Sequence, residues 1–72
     1  MTREEFRSLK AGDIVLIRGG DVILLVEELY QLGGEWGDIY EASGTILHSP
    51  FYKEGIDWHL CENDSISYEL IA

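Results

Sequence analysis

The stretch DVILLVEELYQLGG, Asp21 to Gly34, admits two incompatible readings, and the choice between them sets the fold. As a helix it would have Asp21 as N-cap, Gly33 just past the end, and Val22, Leu25, Val26, Leu29 and Leu32 along one stripe. As a strand it opens on a β-branched residue and follows RGGD (18–21), which itself follows a second apolar run, IVLI (14–17). Two β-branched runs flanking a glycine doublet make a hairpin signal. The strand reading is preferred for 22–28 and leaves ELYQL (28–32) between the two. Both runs are apolar on both faces, so the strands are expected to be covered on both sides, as in a small barrel.

Working outward, the N-terminus reads as a short helix. Thr2 stands three residues before Glu5, the spacing of a capping box, and Phe6 and Leu9 form a narrow apolar stripe ended by KAGD (10–13). Such a helix is marginal alone, so Phe6 and Leu9 are expected to dock on the body and cover one end of it. DIYEASGTILH (38–48) reads as a third strand, with Gly44 marking a bulge or sharp bend. IDWHLCE (56–62) alternates, with Ile56, Trp58 and Leu60 inward. Asn63 and Asp64 supply turn chemistry, and SISYELI (65–71) places Ile66, Tyr68 and Leu70 inward. The expected fold is mainly β (α+β): one domain, 1–72, built as a small five-stranded antiparallel barrel or curled sheet with a short N-terminal helix.

Charge narrows the partners. The chain carries 14 acidic and 5 basic residues, a formal net charge of −9. Arg3, Arg7, Lys10 and Arg18 all lie in the first quarter; beyond them Lys53 is the single cation. Phosphate neutralisation needs clustered Lys and Arg, so direct nucleic acid and an anionic membrane surface are not expected partners. A basic protein surface is. The longest apolar run, VILLV (22–26), is far short of a spanning helix, and MTREEFRSLK (1–10) lacks the apolar core of a signal peptide. With one cysteine, Cys61, an internal disulfide is impossible, and a reducing, cytoplasmic setting is the simpler expectation.

LKAGDIVLIRG (9–19) resembles the opening of SH3-like barrels, in which such a phrase leads into the first long strand. KOW-type ribosome and transcription modules and MazF-type toxins open this way. The resemblance covers 11 residues and implies barrel topology. MazF-like ribonucleases use an arginine, a hydroxyl residue and a basic face; Arg18 matches the first, and no basic face follows it. SH3 domains that grip proline-rich peptides carry an ALYDY opening and paired tryptophans, neither present here. The resemblance therefore implies a fold and no activity.

GGEWGDIYEASG (33–44) supplies the candidate binding site. Trp36 with Tyr40 and Tyr30 would form an aromatic anchor ringed by Glu35, Asp38 and Glu41, with Glu27 and Glu28 extending the acidic surface. Aromatics ringed by charge are the anatomy of a protein-binding patch. The competing role for Trp36 is a lid folded over the open end of the barrel. Phe51 and Tyr52 beside Pro50 make a second candidate lip, and Trp58 reads as core. Glu27 and Glu28 would point to opposite faces of a strand, which weakens an acid–base pair.

His59 and Cys61 share a strand face and His48 could approach from the neighbouring strand, so a zinc site is the alternative. No C-x-x-C pair supports it, and the acidic surroundings do not favour a nucleophilic role for Cys61. No G-x-S-x-G or phosphate-loop motif is present. The expectation is a non-enzymatic module, without cofactor or metal, that binds a basic protein. It is similar in size and charge to small phage-encoded inhibitors that imitate nucleic acid. A metal- or ligand-binding protein using His48, His59 and Cys61, or a homo-oligomer subunit pairing through strand edges, are the alternatives.

Overall fold

A computed structural model describes residues 1–34 and 37–72. The strand reading of the deciding stretch holds, and it extends further than expected. β2 runs from Val22 to Leu32, taking in the whole of the unassigned tail, and is preceded by β1, Ile14–Ile17. The tail is held as strand by β3, Ile39–His48, whose Ile39 to Ala42 pair with Leu32 to Leu29 in register. Tertiary pairing, which local propensity cannot see, decides it. Asp21, the N-cap of the rejected helix, instead takes a left-handed conformation (φ 51°) in the β1–β2 turn, as does Gly19 (φ 85°).

The remaining strands are β4, Asp57–Cys61, and β5, Tyr68–Leu70. All five form one antiparallel sheet in the order β4-β3-β2-β1-β5, and the sheet is open. Of the two expected forms, barrel or curled sheet, the unclosed one is present.

The core lies on one side. Val15, Val22, Leu24, Val26, Ala42, Ile46, Leu60 and Tyr68 are buried, as are Phe6 and Leu9 from the N-terminal segment. The helix α1 is a single turn, Arg3–Phe6, shorter than the apolar stripe suggested, with both hydrogen bonds of the Thr2–Glu5 capping box formed. It is pinned to the sheet by the Phe6 and Tyr68 rings, 5.9 Å apart, and to the segment that precedes β5 by Arg3 Nη2 donating to Asn63 Oδ1 at 3.0 Å. Phe6 and Leu9 thus close one end of the core as their spacing predicted.

Two expectations fail at the C-terminal end. Asn63 and Asp64 are part of a 3-10 helix, Glu62–Ser67, rather than a simple turn, and this takes Ile66 out of the alternating pattern: it is 82% exposed. Ile56, at the edge before β4, and Leu70 are also exposed, leaving Trp58, Leu60 and Tyr68 as the inward residues. Replacing Ile66 by threonine should therefore change the unfolding free energy by less than about 0.5 kcal/mol, where an inward isoleucine would cost about 1 kcal/mol or more. Urea denaturation of the variant distinguishes the two.

The expected covering of both sheet faces is also absent among the described residues. Ile14, Leu16, Ile23 and Leu25 alternate with the core residues and remain partly accessible on the outer face. Neither helical segment packs there, because Phe6, Leu9 and Ser65 face the core side.

Candidate functional site

Two bulges reorganise the outer face. Pairing between β2 and β3 slips at Leu47, between the Ile23–His48 and Leu24–Ile46 pairs, and at Glu27, between the Val26–Gly44 and Glu28–Ser43 pairs. The second slip changes the phase of β2. Val22, Leu24 and Val26 face the core before it and Leu29 faces the core after it, so Glu27 and Glu28 both lie on the outer side. Simple alternation would have separated them; the extra residue brings them together.

Rows of paired residues then define what surrounds them. Glu28, Ser43 and His59 form one row across β2, β3 and β4, and Tyr30, Glu41 and Cys61 the next. Leu25, Thr45 and Asp57 form the row on the other side. Glu27, Glu28, Glu41 and Asp57 thus gather on one face around His59. The Thr45 hydroxyl donates to the Glu27 carboxylate. The Tyr30 hydroxyl donates to Glu41 Oε1 at 3.0 Å and lies 2.9 Å from His59 Nδ1. Having given its one proton to Glu41, the phenol oxygen accepts from His59 Nδ1–H, which sets the imidazole tautomer. Partial burial, and then the hydrogen bond to Glu41, push the Tyr30 pKa above its usual value and keep the phenol a donor. A shallow cavity of about 140 Å³ opens among Glu27, Ser43, Gly44, Asp57 and His59.

The residues singled out in the sequence are divided by this geometry. Glu27, Glu28, Tyr30 and Glu41 share the outer face, whereas Tyr40 packs against the core. Its hydroxyl donates to Gln31 Oε1 at 3.2 Å, and the Arg7 guanidinium sits 4.7 Å above its ring centre. Tyr30 and Tyr40 therefore lie on opposite sides of the sheet. Asp38 is exposed, and its charge helps hold the Arg7 pKa up, after the larger effect of the Glu62 hydrogen bond. Glu35 and Trp36 fall outside the described residues. Phe51 is 78% exposed, and Tyr52 packs at a tilt of 51° against Trp58 with ring centres 4.9 Å apart; the backbone N–H groups of Phe51 and Tyr52 donate to Ser49 Oγ.

His59 and Cys61 share the outer face as expected. His48 pairs with Ile23 near the opposite end of β3, five residues past the Ser43 that faces His59, or roughly 15 Å along the strand. Among the described residues, no group of three His, Cys, Asp or Glu side chains is arranged to hold a metal ion.

Sequence reasoning missed two things. Asp57, Ser43 and Thr45 complete the outer acidic surface, and only the strand register reveals them. Arg7 and Glu62 form a two-bonded ion pair, Nε to Oε2 at 2.8 Å and Nη2 to Oε1 at 3.0 Å, with the Glu62 side chain 1% exposed. Glu62 lies two residues beyond inward Leu60 in an alternating strand, which was the available signal for its burial. Among the described residues, no helix is long and apolar enough to cross a membrane. Compared with protein-family models, curated proteins and solved structures, the chain matches none, so the functional reading rests on its own geometry.

Proposed function

We propose that this chain is a non-enzymatic, SH3-like interaction module whose acidic outer face binds a basic protein surface. The single observation that carries the reading is the gathering of Glu27, Glu28, Glu41 and Asp57 on one face of β2, β3 and β4, with no lysine or arginine in the rows between them. Four like charges on a rigid sheet attract a cationic surface and repel nucleic acid and anionic lipid. The SH3-like assignment is supported by the strand order, in which β5 returns to pair with β1 after the 3-10 helix. In one form of this activity the carboxylates imitate phosphates and occupy the nucleic-acid groove of a basic protein. A cytoplasmic setting fits the free Cys61.

The test is competition. The chain should displace duplex DNA from an arginine-rich protein such as protamine at low salt, and lose that ability steeply as salt rises. A variant carrying Glu27→Gln, Glu28→Gln, Glu41→Gln and Asp57→Asn should bind about tenfold more weakly and keep its fold, because all four side chains lie on the outer face. Equal competition by the neutralised variant would overturn the reading.

A further inference from the structure

We propose that the outer face of the β1–β2 hairpin is a docking surface for a cationic amphipathic protein segment, one that sets apolar residues on the sheet and lysines or arginines around them. This rests on the acidic-module reading above and gives it an apolar centre.

The inference starts from register. Glu69, Leu16, Ile23 and His48 form one row across β5, β1, β2 and β3. Ile14, Leu25, Thr45 and Asp57 form the next, across β1 to β4. Leu16, Ile23, Ile14 and Leu25 therefore make a contiguous block of four apolar side chains on the face opposite the core. Ile71, whose N–H donates to the Ile14 carbonyl at 2.9 Å, extends the block and is itself exposed. Aliphatic residues at every outward position of the paired stretches Ile14–Ile17 and Val22–Leu25 are unusual for a sheet face that meets water, where polar residues ordinarily alternate with the core set.

What borders the block identifies its occupant. Glu69 lies beside Leu16, Asp57 lies beyond Thr45 on the Leu25 row, and the bulge sets Glu27 and Glu28 next along β2. The rim is net acidic on two sides, at Asp57 and at Glu27 with Glu28; on the third, Arg18 lies 3.6 Å from Glu69 and the two charges offset each other. An apolar centre inside a charged rim is the layout of a protein-binding hot spot, and a rim of one sign calls for the opposite sign on the partner. A second copy would bring the same acidic rim against itself. Nucleic acid and anionic lipid would meet carboxylates, with no cationic row to hold a phosphate. A segment with leucines at the centre and lysines at the flanks satisfies both zones at once.

Three short labelled peptides test this by fluorescence anisotropy at about 150 mM salt, where long-range attraction is largely screened. One carries leucines on one face and lysines on the other. The second replaces its leucines with serines, and the third replaces its lysines with glutamates. The leucine–lysine peptide should bind the full chain about tenfold more tightly than the serine–lysine peptide, and the glutamate peptide should not bind. A Leu16→Thr/Leu25→Thr variant, shown to be folded by its melting transition, should lose most of that tenfold advantage and keep its affinity for the serine–lysine peptide. If the double variant fails to fold, Ile23→Thr alone should reduce the same ratio. Equal affinity for the leucine and serine peptides would overturn the docking surface and leave the acidic module standing. An unchanged leucine advantage in a folded variant would do the same. Binding of the leucine–lysine peptide that is indifferent to the fourfold neutralisation described above would instead sink the acidic reading and this inference with it. Dimerisation of the wild-type chain that the double variant abolishes would give the surface to a second copy and overturn the proposal.

Discussion

Replacing Gly44 with alanine lowers the unfolding free energy by about 3 kcal/mol, the upper end of what an overfilled site ordinarily costs. A chain of this length has about 4–11 kcal/mol in total, so the variant is expected to be partly unfolded at modest temperature. Gly44 is buried between Val26 on β2 and Trp58 on β4. A Cβ built there would overlap the Leu25 carbonyl oxygen and the Leu24 side chain. Leu24 can rotate, but the carbonyl belongs to the partner strand and moves only if the ladder moves with it. The effect is one of space and not of backbone conformation, since Gly44 is not among the glycines with positive φ. Urea denaturation of Gly44→Ala measures it; a change below about 1 kcal/mol would mean that the two strands can separate at little cost.

Arg7→Met should lower the melting temperature by several degrees more than Arg18→Met. Arg18 faces Glu69 at 3.6 Å with both side chains at least half exposed, and such a pair contributes little. Arg7 instead supplies two hydrogen bonds to a carboxylate that the fold has sealed from water, and removing it strands that charge. Arg7→Met/Glu62→Leu should recover much of the loss, because an apolar pair of similar volume removes the stranded charge.

The wild-type chain and Arg7→Met should also respond oppositely to acid. In the wild-type chain the Arg7 hydrogen bonds hold Glu62 below its ordinary value of 4.5, partly countered by burial. A carboxyl with a lowered folded pKa stabilises the fold above its unfolded value and loses that contribution as pH falls through the folded one. The wild-type protein should thus weaken below about pH 4.5. In Arg7→Met, burial outweighs the remaining Tyr40 N–H hydrogen bond and raises the Glu62 pKa, so stability should rise as pH falls from about 7 to about 5. Melting curves from about pH 7 to about pH 3 distinguish the two signs. A melting temperature that falls on acidification in both forms would show that Glu62 is not the controlling group.

The strands were legible because their apolar runs are dense and their turns carry glycine, and Thr2 with Glu5 announced the capping box three residues apart. ELYQL was ambiguous because Leu29 and Leu32 suit a helix stripe as well as a strand; pairing with Ile39 to Ala42 resolves it, and that is a long-range fact. The alternation in SISYELI misled because a 3-10 helix has no two-residue period, so Ile66 lost the inward place its spacing implied. For the site, the acidic surplus after Arg18 was plain, but its grouping was not. Glu27 and Glu28 share a face only through a bulge, and Asp57 joins them only through the β3–β4 register. Tyr40, chosen for its place beside acids, is claimed by Arg7, a residue thirty-three positions earlier whose approach nothing in the local sequence signals.

The bulge at Glu27 also governs which changes of length the gene can accept. Removing one codon between Val26 and Leu29 would restore simple alternation with Leu29 still toward the interior and Tyr30 still on the outer face, because the bulge residue is the one the pairing with β3 does not need. The same excision in the segment between His48 and Asp57 would merely shorten an exposed connection. A one-residue loss at the bulge therefore spares the interior and falls on the acidic face, where two adjacent glutamates no longer lie side by side.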